Sequence, residues 1–157
     1  MKKNANNTLP AKRVDVVSLK MVREGSFLYG GRRVCTPVDA VEIMRRFLED
    51  IDREVFAIAC LNTKNEPLCV SVVSLGTLSS TTVHPREVFK VALLANAASV
   101  IIFHNHPSGD PSPSSEDKSI TKRLSEAGEL LGISVLDHVV IGSGGRFTSF
   151  KEAGLFR

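Results

Sequence analysis

The chain has 157 residues, 43% of them hydrophobic, which is material for one sizeable core. Its net charge is +3, but residues 1–13 carry Lys2, Lys3, Lys12 and Arg13 and no acid, so the rest is close to neutral. A neutral body gives little support to a nucleic-acid groove, and no apolar run approaches the ~20 residues that span a bilayer. The polar N-terminus lacks the apolar centre of a signal peptide, so a cytoplasmic protein without a membrane partner is expected. Residues 1–13 read as a disordered basic arm, and 14–157 as one domain. Any DNA binding should be weak, salt-sensitive and confined to that arm.

In chain order, Val14–Lys20 alternates loosely and predicts an edge strand. Gly30-Gly31 marks a turn. Thr36-Pro37-Val38-Asp39 starts a helix, with Thr36 as cap and Asp39 completing it. The stripe Val41, Met44, Leu48, Ile51 carries that helix to about Asp50. Residues 54–61 form the most apolar run, a central strand behind the carboxylate of Glu54. A polar turn at 62–66 leads to a hairpin partner over 68–75. Residues 76–83 are a Ser/Thr-rich connection without a clear pattern. Pro85 starts a helix, apolar on most sides through Ala98 and therefore expected to be buried.

Cys60 and Cys69 lie in apolar runs, and Cys35 completes an odd count with no Cys-x-x-Cys spacing. Reduced, buried thiols are the expectation. After a strand at 99–103, a helix runs from Ser114 to Leu131 with Gly132 as its stop. A strand follows over 133–141. Gly142–Gly145 reads as a hairpin turn, because no P-loop Lys-Ser/Thr follows it. Residues 147–150 close the sheet and a short helix ends the chain. Strands and helices that interleave around a hairpin predict an α/β fold, a mixed sheet flanked by helices.

The densest stretch is His104–Asp117. It holds two of the four histidines and three of the seven prolines. Side chains two apart on an extended segment share a side, so His104 and His106 converge. Asp117 begins the inward stripe of the next helix, with Ile120 and Leu124 below it. Ser114 lies three residues earlier on the same face. Two histidines and a carboxylate leave a tetrahedral zinc one open position, which marks a catalytic site rather than a structural one. A zinc-activated water needs a general base. Glu54 is the best candidate, since a carboxylate at the head of an apolar strand is costly without a purpose. Glu87 is second, in a first helical turn where Glu is ordinary. Asp117 also suits the helix dipole, and Ser112 or Ser114 suits the N-cap. His84 reads as a cap for the helix at Pro85. His138 reads as structural, paired locally with Asp137. Asp110 either bonds loop amides or touches substrate.

The pattern His-x-His-Pro, six residues, Ser, two residues, Asp is met by His104, His106, Pro107, Ser114 and Asp117. It resembles the JAMM (MPN+) metalloprotease signature. The string HNHPSGDPSPSSED, with the segments at 52–56, 84–88 and 136–142, resembles the RadC branch of that family over roughly residues 32–157. The resemblance implies a cytidine-deaminase-like αβα arrangement and one Zn2+ per chain on His104, His106 and Asp117. It implies peptidase or isopeptidase-like hydrolysis of a peptide or isopeptide substrate. Glu54, directly before a core strand, would be the base, and the Ser114 hydroxyl would support the oxyanion. The alternatives are a non-catalytic MPN-type binding or scaffold module and a DNA-repair-associated accessory protein. HNH nucleases and cytidine deaminases do not match, since their motifs are longer or need His-x-Glu with Pro-Cys-x-x-Cys.

Overall fold

A computed structural model describes residues 11–48, 51–76 and 83–156. Its elements are α1 (Pro37–Leu48), β1 (Val55–Leu61), β2 (Pro67–Leu75), α2 (Pro85–Leu94), β3 (Ser99–Asn105), α3 (Ser115–Leu131), β4 (Ser134–Ile141) and β5 (Phe147–Ser149). The strands form one mixed sheet in the order β2-β1-β3-β4-β5. Among the described strands only β3 and β4 are parallel, joined by the α3 crossover; the other neighbours are antiparallel. None of the described helices is long and apolar enough to cross a membrane.

Helices cover both faces of the sheet. On one face α1 packs through Ala40, Val41, Ile43, Met44 and Leu48 against Ala57, Ala59, Phe103 and Val139. On the other, α2 and α3 bring Val88, Phe89, Ile120 and Leu124 against Phe56, Ile58, Val100 and Ile102. Period-2 alternation sends successive residues of β1 and β3 to opposite cores. With both faces covered, every residue of both strands is buried.

Helix α1 starts as expected. Asp39 accepts from the Thr36 amide at 2.8 Å and donates its own amide to Thr36 Oγ1 at 3.3 Å. The end expected near Asp50 falls at residues outside those described. So do most of the connection at 76–83 and most of the N-terminal arm.

Several expectations need correction. Val14–Lys20 forms no strand. Residues 11–29 have no regular structure, and Val14, Val16, Val17 and Leu19 are exposed. Alternation without a neighbouring strand leaves the backbone groups to water. Helix α2 stops at Leu94, and Asn96 turns the chain at φ 50°. It buries only Val88, Phe89 and Ala92, so it is one-sided. Cys60 is buried, but Cys69, its partner across β1 and β2, is half-buried and Cys35 is exposed. Turns rather than a helix follow β5.

Candidate metal centre

The fold brings the ends of two neighbouring strands to one place. His104 is the penultimate residue of β3, and His106 follows the strand directly. The His106 amide still donates to the Ile141 carbonyl at 3.0 Å, which extends the strand geometry by one residue. The chain then turns through Pro107–Pro113 to α3. Ser114 is the N-cap: its Oγ accepts from the Asp117 amide at 3.1 Å, and Asp117 Oδ2 accepts from the Ser114 amide at 2.7 Å. This capping box locks the carboxylate at the first turn of α3.

The three expected ligands meet. His104 Nε2 lies 2.9 Å from His106 Nε2 and 3.1 Å from Asp117 Oδ1, and His106 Nε2 lies 3.4 Å from Asp117 Oδ2. Ligand atoms at ~2.0–2.1 Å from a tetrahedral zinc stand about 3.3 Å apart, so the spacing fits that ion. His106 Nδ1 is 2.8 Å from the Asp110 carbonyl, an oxygen that only accepts. The ring therefore donates there, and neutral His106 turns the lone pair of Nε2 into the cluster.

Electrostatics favours a positive charge at this point. Burial alone would raise the Asp117 carboxyl, but its bonds to His104 and His106 and to the Ser114 amide hold it well below the usual range. The hydrogen bond to Asp117 raises His106, and the Asp110 carbonyl and the charge of Glu54 add to it.

Glu54 is half-buried and sits directly before β1. The β1–β3 ladder ends at Phe56 with His104, and Glu54, two residues before Phe56, lies close enough for its charge to act on His106. The segment is clamped. Asn105 Oδ1 accepts from the Val55 amide at 2.7 Å, and Asn105 Nδ2 donates to the Arg53 carbonyl at 3.0 Å. The Glu54 carbonyl accepts from Gly76 at 2.9 Å. Asn105, between the two histidines, thus holds the chain on both sides of Glu54. Glu87 is elsewhere engaged, with Lys90 Nζ at 2.7 Å and Arg86 Nε at 3.7 Å. Asp110 bonds Ser112, through the backbone amide at 3.0 Å and the hydroxyl at 2.8 Å. His84 caps α2 by accepting from the Arg86 amide at 3.2 Å.

His138 differs from its expected role. Only its backbone amide bonds Asp137, at 2.7 Å. Its ring points to the opposite sheet face, where Nε2 is 2.7 Å from His104 Nδ1. Burial, reinforced by the neighbouring His104, drives its pKa well below the usual histidine value. A signal was present in the sequence, because a histidine inside the apolar strand 133–141 must find a buried partner. Asp137 accepts from the Ser149 hydroxyl at 2.5 Å and the Lys151 amide at 3.0 Å, bracing the end of the sheet.

The loop 107–113 rests on the β4–β5 turn. Arg146 Nη2 donates to the Gly109 carbonyl at 2.7 Å, and the Ser143 amide donates to the same oxygen at 3.1 Å. Gly109 has φ +81°, and a Cβ on Gly142 would come within 2.5 Å of the Gly109 carbonyl. Both positions therefore need glycine.

Several known proteins are similar to this chain over most of its length. A UPF0758 protein of Desulforamulus reducens is 50% identical over 149 residues, 93% of this chain and 65% of its own length. One of Methanosarcina barkeri is 52% identical over 126 residues, 80% of this chain and 55% of its own. One of Rubrobacter xylanophilus is 50% identical over 122 residues, 78% of this chain and 53% of its own. The chain thus spans about half to two thirds of the curated relatives it matches. The RadC-like JAB domain matches residues 34–155, from the lead-in to α1 to the turns after β5, and the chain belongs to that family.

Proposed function

We propose that this domain hydrolyses amide bonds, in a peptide or an isopeptide, with zinc held by His104, His106 and Asp117. The observation that carries the reading is the convergence of three acceptor atoms beside a clamped carboxylate. Bound zinc supplies Lewis acidity, which polarises a carbonyl and makes a water acidic near neutral pH. Glu54 takes the proton of the attacking water and returns it to the leaving amine. Asn105 holds the chain on both sides of Glu54 while this proton moves. Ser114 donates its hydroxyl to the developing oxyanion while the same oxygen still accepts from the Asp117 amide. Phe56, stacked 6.3 Å from the His104 ring, helps keep water from the rear of the site.

The test pairs metal content with turnover. The purified protein should hold about one zinc per chain, and a His104→Ala/His106→Ala double variant should hold none. Glu54→Gln should keep its zinc and lose roughly 10²–10⁴ in turnover on a responsive member of a peptide and isopeptide panel. Glu87→Gln should match wild type, since Lys90 explains that carboxylate. Stoichiometric zinc in the double variant would overturn the site, and full activity in Glu54→Gln would overturn the base.

A further inference from the structure

Behind the three ligands runs a chain of hydrogen bonds that the hydrolytic steps above do not use. His104 Nδ1 is 2.7 Å from His138 Nε2, and His138 Nδ1 is 2.5 Å from Thr121 Oγ1. Thr121 Oγ1 donates to the main-chain carbonyl of Asp117 at 2.5 Å. His104 and His138 are fully buried, and Thr121 is 2% exposed. The chain starts on one metal ligand and ends on the backbone of another.

Its direction follows from its far end. A carbonyl oxygen only accepts, so the single hydroxyl proton of Thr121 goes to Asp117. Thr121 Oγ1 can then only accept from His138, which must carry its proton on Nδ1. The His138 ring lies 4.7 Å from the Phe150 ring and 5.8 Å from that of Phe56, an apolar setting that disfavours an imidazolium. Neutral His138 thus offers a lone pair at Nε2, and His104 donates to it from Nδ1. That leaves the lone pair of His104 on Nε2, the atom facing His106 and Asp117.

We propose that Thr121 and His138 are positioning residues that fix His104 as the tautomer able to ligate through Nε2. A threonine bonding back to the carbonyl four residues earlier is common in helices. Here the same hydroxyl also meets a buried imidazole that touches a ligand, so one proton on α3 sets the proton positions on β4 and β3. His106 has a shorter version of the device, since its Nδ1 meets the Asp110 carbonyl directly. The inference rests on the metal-binding part of the proposed function and does not require hydrolysis.

The test uses zinc and the full chain. Thr121→Val removes the hydroxyl at nearly constant shape, and Thr121→Ser keeps it. Zinc affinity is measured by chelator competition, histidine tautomers by two-bond 1H–15N NMR, and folding by circular dichroism. Thr121→Val should bind zinc about 10–100-fold more weakly, the usual loss for a residue supporting a ligand. Thr121→Ser should stay close to wild type. In wild type both His104 and His138 should carry the proton on Nδ1. Equal affinity in folded Thr121→Val, or a wild-type His138 protonated on Nε2, would overturn the relay and leave the zinc site standing. If Thr121→Val does not fold, the wild-type tautomer decides. A wild type that takes up no zinc would overturn both the site and the relay.

Discussion

The His104 side chain is fully buried, while His106, two residues on, keeps 16% of its side chain exposed. Their supports differ in kind. His104 is held from β4 and α3 through His138 and Thr121, with Phe56 against its ring. His106 is held by its own loop, through the Asp110 carbonyl, and that loop leans on Arg146. The inner half of the site belongs to the core, and the outer half to a surface loop. A change in the inner half should cost both metal and folding stability. One in the outer half should cost metal or turnover and little stability.

The sharpest way to break this contrast is to truncate each histidine and unfold the chelated protein in urea. Both variants should lose zinc. His104→Ala should also lose ~2–4 kcal/mol, since it leaves a cavity and an unpaired His138 nitrogen. His106→Ala should lose about 1 kcal/mol or less, because its site is open to water. Equal losses would show that the two ligands are supported alike.

Asn105→Ala comes next. It leaves the Val55 amide and the Arg53 carbonyl without their partner, at ~1–3 kcal/mol. Turnover should fall through a displaced Glu54 while zinc content stays near wild type. Loss of zinc instead would assign Asn105 to the metal loop rather than to the base.

A smaller effect is expected from Arg146→Met, which removes the brace on Gly109. Stability should fall by ~0.5–1.5 kcal/mol, and zinc should weaken by under about tenfold. The NMR signals of the His104 ring should not move. A shift there would show that the outer support reaches the inner ligand.

The smallest expected effect is in pH. The folded-state pKa of His106 is raised, chiefly by its bond to Asp117. That stability is fully present below the unfolded histidine value of about 6.5 and is lost as pH rises through the folded value. Asp117 is depressed, burial being outweighed by its histidine bonds, so its contribution is present above about 3.9 and is lost only as acid approaches its folded value. The chelated protein should therefore melt at a lower temperature at pH 8 than at pH 6. His106→Ala should flatten that slope, and an unchanged slope would remove the pair from the account. Zinc reverses the dependence, because it needs the ring deprotonated.

Much of this candidate site was legible because its residues lie close along the chain. A strand end, a proline-rich turn and a capped helix start cover the stretch from His104 to Asp117, and local rules describe each of them. Glu54 was legible as a carboxylate at the head of a buried strand, but its nearness to His106 needed the pairing of β1 with β3. Val14–Lys20 shows the reverse, a strand-like pattern that pairs with no strand among the described residues. Asn105 gave no local sign of its role, since its partners lie 50 and 52 residues away.

The amino-acid sequence by itself determined the candidate ligand set, the start of α1, the apolar central strands and the family. Tertiary structure alone decided that His138 faces His104 from 34 residues away. It also decided that Thr121 closes the line to Asp117, and that Asn105 clamps the strand carrying Glu54. The physical reason is range. Caps, turns and alternation follow from interactions among residues a few places apart. Which strand lies beside which, and in what register, is settled only when the whole chain packs its two cores against one sheet.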